Sequence, residues 1–101
     1  MSESAVRMDE AGELRLSGVL DYRTGPALRE QGQALIKASK AAAVVVDCSA
    51  VEKSSSVGLS LLLCFMRDAQ AAGKALSIRG MPEDMREIAQ VSELTELLAH
   101  P

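Results

Sequence analysis

The chain has almost no aromatic side chains: Tyr22 and Phe65 are the only two among 101 residues, and tryptophan is absent. Nearly half of the residues are nonetheless apolar, so the core of a single compact domain, residues 1–101, must be built from Ala, Leu, Val, Ile and Met. Basic charge is also scarce. The formal net charge is −3, and the densest basic stretch, Arg23 to Arg29, is broken by Gly25-Pro26, which argues against nucleic acid or an anionic membrane surface as a partner. The longest apolar run, Leu59 to Met66 with one serine, falls far short of the ~20 residues of a bilayer span, so no direct membrane insertion is expected. The opening Met1-Ser2-Glu3-Ser4 has neither a basic nor an apolar leader segment, and the expectation is a soluble cytoplasmic protein.

The chemistry-bearing residues are equally few. His100 is the only histidine and lies beside the last residue, which leaves a serine nucleophile without a base. The chain contains no Gly-x-Ser-x-Gly, Gly-x-Gly-x-x-Gly or Gly-Lys-Ser/Thr, so hydrolysis and nucleotide binding by a known loop type are disfavoured. Cys48 and Cys64 lie in apolar segments, show no C-x-x-C spacing, and read as small hydrophobes rather than metal ligands or a disulfide. No enzyme, metal or cofactor is expected.

Hydrophobic periodicity divides the chain. Val6 to Met8 and Glu13 to Leu20 read as two strands joined by the hairpin link Asp9-Glu10-Ala11-Gly12. Thr24-Gly25-Pro26 opens a helix running to about Ser39, with Leu28, Gly32, Leu35 and Ile36 on its apolar stripe and Arg29, Glu30, Gln33 and Lys37 on its wet side. Gly32 on that stripe suggests close approach to the sheet. Ala43 to Asp47 is a continuous apolar run ending in a carboxylate, as in a strand buried on both faces. After a polar loop, a second helix spans Ser56 to Ala72 and stops at Gly73. Ala75 to Ile78 is a strand. Pro82-Glu83-Asp84 starts a third helix lined by Met85, Ile88, Ala89 and Val91, and Ser92 caps a short last one holding Leu94, Leu97 and Leu98. The order β-β-α-β-α-β-α-α implies an α/β fold: an N-terminal hairpin, a mostly parallel central sheet, and helices packed on it.

One segment concentrates the polar groups. Asp47 ends a strand, and Lys53-Ser54-Ser55-Ser56 lead straight into the helix that begins Val57-Gly58-Leu59. Several hydroxyls therefore stand where a helix exposes unpaired N–H groups, a place suited to phosphate. Simple capping explains one of these serines, though not three in succession, and Asp47 has an equally plain reading as a loop cap. The helix from Val57 to Met66 is apolar nearly all round. It is either core or a partner surface, with Ser60, Arg67, Asp68 and Gln70 as its polar positions and Leu63 and Met66 as candidates for exposure.

Asp47-Cys48-Ser49, Ser55-Ser56-Val57-Gly58-Leu59, Ala71-Ala72-Gly73-Lys74-Ala75-Leu76 and Ile88-Ala89-Gln90-Val91-Ser92-Glu93-Leu94 occur in an order that resembles the STAS domain family along essentially the whole chain. The resemblance places Ser56 on the family's phosphorylatable Ser/Thr position. Ser55 stands where phospho-switched members carry aspartate, which removes the acidic group beside that hydroxyl. Within the family the chain looks most like the MlaB-like accessory subunits of Mla-type ABC transporters, which move phospholipid between bacterial membranes and maintain outer-membrane lipid asymmetry. That resemblance implies a non-catalytic subunit, peripheral to the inner membrane through its partner. It would dock on an MlaF-like ATPase, within a complex that also holds permease and substrate-binding subunits. The implied contact residues are Lys53, Ser54, Ser55, Ser56, Ser60 and Leu63. The alternative it leaves open is an anti-sigma-factor antagonist switched by phosphorylation of Ser56.

Overall fold

The computed structural model describes residues 4–9 and 11–91. Strands β1 (Ala5–Met8) and β2 (Glu13–Leu20) form the expected hairpin, and helix α1 (Gly25–Ala38) follows. Strand β3 (Ala43–Ser54), helix α2 (Ser56–Ala71), strand β4 (Ala75–Arg79) and helix α3 (Glu83–Val91) complete the described elements. The helix expected over Ser92 to Leu98 lies outside the described residues. The sheet order is β1-β2-β3-β4, with β1 antiparallel to β2 and the remaining pairs parallel.

Each parallel connection is a crossover, β2-α1-β3 and β3-α2-β4, and the two step across the sheet in the same direction. Right-handed crossovers in one direction deliver their helices to one face. The burial pattern agrees: Leu14, Leu16, Leu20, Val44, Val46 and Leu76 are buried, while Arg7, Arg15, Ser77 and Arg79 on the alternate positions are exposed. Val45 is only half-buried. The apolar run in β3 therefore does not mark a strand covered on both faces, because among the described residues the sheet packs against helices on one side only.

The expected end of β3 at Asp47 is also corrected. The strand continues through Ser54, paired with β2 from Glu13↔Val45 to Leu20↔Ser54. Two register shifts, between Arg15 and Ser17 and between Gly18 and Val19, each insert one extra residue on β3. Such bulges break the alternation by which strands are read from sequence.

The α1–α2 contact sets the position of the helical layer. A Cβ on Gly32 would come within 2.2 Å of the Phe65 ring, so this glycine admits the buried aromatic of α2 rather than an approach to the sheet. Arg29 and Gln33, expected on the wet side of α1, both reach the buried Asp68 of α2; Arg29 forms an ion pair with it and the Gln33 amide donates at 3.4 Å. Met66 is buried, not exposed, and Val91 is 86% exposed rather than lining α3. Thr24 precedes α1 without a side-chain cap; its hydroxyl instead donates to Val19 O at 2.9 Å and accepts from Asp21 N at 3.0 Å, closing the turn out of β2.

Candidate functional site

The carboxyl ends of β2 and β3 carry the loop Asp21–Thr24 and the start of α2, the edge of a parallel sheet where binding sites gather. Ser54 closes β3 and is buried. Its N–H donates to Asp84 Oδ2 at 3.2 Å, tying the strand end to the first turn of α3, and its hydroxyl donates to Ser55 O at 2.8 Å. Gly58 makes room for that hydroxyl, since a Cβ there would stand 2.0 Å from Ser54 Oγ. Ser55 is the N-cap of α2: its backbone is extended and its Oγ accepts from Val57 N at 3.2 Å. The Ser55 N–H donates to Leu20 O at 3.0 Å, anchoring the cap to the end of β2.

Ser56 is the first helical residue and is exposed. Ser60, one turn on, is exposed, and Leu63, nearly another turn on, is half-buried. The spacing i, i+4, i+7 puts the three on one outward stripe of α2. Lys53 is exposed at the end of β3. Beside this stripe lies an open apolar groove of about 290 Å³ between α1 and α2, lined by Tyr22, Pro26, Val57 and Cys64 among others.

A family model described as "Mlab, STAS domain" matches residues 4–99. The chain belongs to the STAS domain family. STAS folds recur among the solved structures it resembles. A chain of the Acinetobacter MlaFEDB complex in an ATP-bound conformation is 25% identical, over 96% of this chain and 99% of that one, with a TM-score of 0.81. An anti-sigma-factor antagonist from Mycobacterium paratuberculosis is 25% identical over 98% of this chain and 85% of that one, TM-score 0.71. The anti-sigma-factor antagonist SpoIIAA in its unphosphorylated form shares the fold at 19% identity, over 98% and 88% of the two chains, TM-score 0.73.

Within this STAS domain the six residues expected as a contact surface divide in two. Lys53, Ser55, Ser56 and Ser60 are exposed and Leu63 is half-exposed, whereas Ser54 is buried and structural. Asp47 does not belong to the cluster. It lies seven residues before Ser54 on the same strand, roughly 20 Å away at about 3.3 Å per residue. There it accepts from Ser49 N at 3.0 Å and Ser49 Oγ at 2.7 Å and faces Arg79 at 3.5 Å. The Ser49 hydroxyl and N–H, and then the Arg79 charge, hold its carboxyl below the usual 3.8. Cys48 next to it is buried, and burial pushes its thiol up to about 12. Among the described residues no cluster of His, Cys, Asp and Glu is arranged to hold a metal ion.

Sequence reasoning missed two participants. Asp84 reads as an ordinary first-turn acid, and only the fold shows that it holds the serine segment. Tyr22, 77% exposed at the tip of the β2–α1 turn, had a usable signal: it is one of two aromatics and stands in a polar loop where nothing demands one.

Proposed function

We propose that this STAS domain is a non-catalytic accessory subunit that docks on the ATPase of an Mla-type ABC transporter and supports its phospholipid-moving assembly at the inner membrane. The observation that carries the reading is the outward stripe Ser56, Ser60 and Leu63 on a helix whose opposite side is fully packed. It presents small hydroxyls and one aliphatic side chain, anchored by the Ser55 cap and the Asp84 link. Such a patch suits a packed protein contact better than a reaction, since no metal ligand set accompanies it among the described residues and the nearby Asp84 carboxylate is engaged with the Ser54 N–H. The likeness to a chain of the MlaFEDB complex supports the choice of partner.

Ser56 supplies the test. A charge introduced there has to be desolvated at the contact, and no cation of this chain is bonded to it among the described residues. Ser56→Asp and Ser56→Arg are each expected to weaken capture of the purified ATPase by about tenfold or more, with the circular dichroism spectrum unchanged. Wild-type affinity in both variants would count against the contact surface. The second reading, an anti-sigma-factor antagonist phosphorylated at Ser56, draws on the exposure of that hydroxyl at a helix N-terminus and on the mycobacterial relative. Co-purification from the native host separates the two: an ATPase and a permease in one case, a kinase-like anti-sigma factor in the other.

A further inference from the structure

The packing of the described residues leaves the apolar groove beside the serine stripe open. Val57, Ser60 and Cys64 lie at i, i+3 and i+7 on α2, so Ser60 belongs both to the groove and to the stripe that starts at Ser56. The opposite wall is Tyr22 and Pro26. The floor is tight, because a Cβ on Gly25 would approach Val57 Cγ1 to 2.8 Å, so the start of α1 rests directly on the first turn of α2. At about 290 Å³ and open to solvent, it is at the small end of the roughly 300–1,000 Å³ that enclose a small molecule. It suits side chains projecting from a helix laid across it.

The charges beside the groove are sorted by depth. In the Arg23–Asp21 pair the arginine side chain is 72% exposed and the aspartate 18%; in the Arg29–Asp68 pair the values are 36% and 7%. In both pairs the acid is the buried member and the arginine the exposed one, so a partner meets the guanidinium edges of Arg23 and Arg29, whose complement is acidic. We infer that this groove seats an apolar side chain from an amphipathic segment of the ATPase, with an acidic residue of that segment set against Arg23. The inference rests on the docking function proposed above and names the chemistry by which the partner is recognised.

The two cysteines provide the probe. Cys48 is fully buried, whereas Cys64 is half-exposed in the groove wall. The full chain, alone and with the purified ATPase subunit encoded in the same genome, is treated with iodoacetamide, and alkylation at Cys64 is followed by mass spectrometry. Binding is measured in parallel for Tyr22→Ala, Tyr22→Phe and Arg23→Glu, at exposed positions whose replacement leaves the core intact. The expected result is severalfold slower alkylation of Cys64 in the complex, a loss of affinity of about tenfold for Tyr22→Ala and for Arg23→Glu, and near-wild-type binding by Tyr22→Phe. A complex that forms with Tyr22→Ala at wild-type affinity and leaves Cys64 as reactive as in the free chain overturns the groove while the docking function stands. A folded wild-type chain that does not bind the ATPase at all overturns the docking function, and this inference with it.

Discussion

Asp47 is almost wholly removed from water on the sheet face opposite the helices, and its charge survives there because Ser49 donates twice and Arg79 stands close by. A carboxyl held below its ordinary value stabilises the fold at pH above that value, and the contribution disappears as pH falls through the depressed one. Ser49→Ala removes the hydroxyl donor and raises the Asp47 value toward 3.8. The variant should therefore lose about 1.5 kcal/mol at pH 7, as for a hydrogen bond to a charged group. The difference from wild type should shrink below pH 3.8 as the carboxyl protonates in both. Urea midpoints at pH 7 and pH 3 check this; an equal difference at both would show that the Ser49 hydroxyl stabilises something other than the charge. The sequence singles out Asp47, but as the end of a strand near the serines. The apolar run does stop there, and only the bulged continuation to Ser54 reveals that the carboxylate sits mid-strand.

Helix α1 is held to α2 by a shape match at Gly32–Phe65 and by the Arg29–Asp68 pair beside it. Alanine is the better helix former by ~1 kcal/mol, so a propensity argument alone predicts that Gly32→Ala stabilises. The 2.2 Å approach to the Phe65 ring reverses the sign, since overpacking of a buried contact costs about 1–3 kcal/mol before that gain is subtracted. Thermal denaturation should show Gly32→Ala below wild type, and Gly32→Ala combined with Phe65→Leu should regain part of the loss by vacating the ring. Arg29→Met leaves the Asp68 carboxylate buried with only Gln33 as a distant donor and should destabilise by about 2–3 kcal/mol, less than for a fully buried pair because Arg29 is partly solvated. The double variant Arg29→Met/Asp68→Leu should recover most of it, as judged by denaturant midpoints. The positions and lengths of these helices are readable from periodicity to within about a residue or two. Which face is wet is not, because Asp68, Arg29 and Gln33 look like solvent residues until the two helices are set side by side.

At the scale of the whole molecule the STAS domain is a two-layer slab, 32 × 32 × 22 Å, with helices on one side of the sheet and the charged positions Arg7, Arg15 and Arg79 on the other. The strand order and the crossover connections follow from the alternation of elements and the right-handed rule, which is why the fold class is legible in the chain. The single-sided layering is not, since a run such as Val44-Val45-Val46 is as apolar as a strand covered on both sides. The slab also predicts where the fold opens first. Among the described residues, strands β2 and β3 are paired on both edges, whereas β1 and β4 are paired on one. Amide hydrogen exchange should be slowest at Leu16, Leu20, Val44 and Val46 and faster in β1 and β4; slow exchange confined to the helices would contradict a sheet-centred core.

The two bulges in β3 uncouple the length of that strand from the facing of its side chains. Removing the extra residue at the first bulge, Ser49, would leave Cys48, Ala50 and Val51 in plain alternation opposite the stretch Leu16 to Gly18, so Val51, Lys53 and Ser54 would keep their faces. Removing Glu52 at the second bulge would likewise leave Lys53 opposite Val19 and Ser54 opposite Leu20, with the start of α2 in its place. A deletion where no extra residue stands, at Val45 for example, would instead turn part of the strand over, so for the serine stripe the place of a deletion matters more than its size.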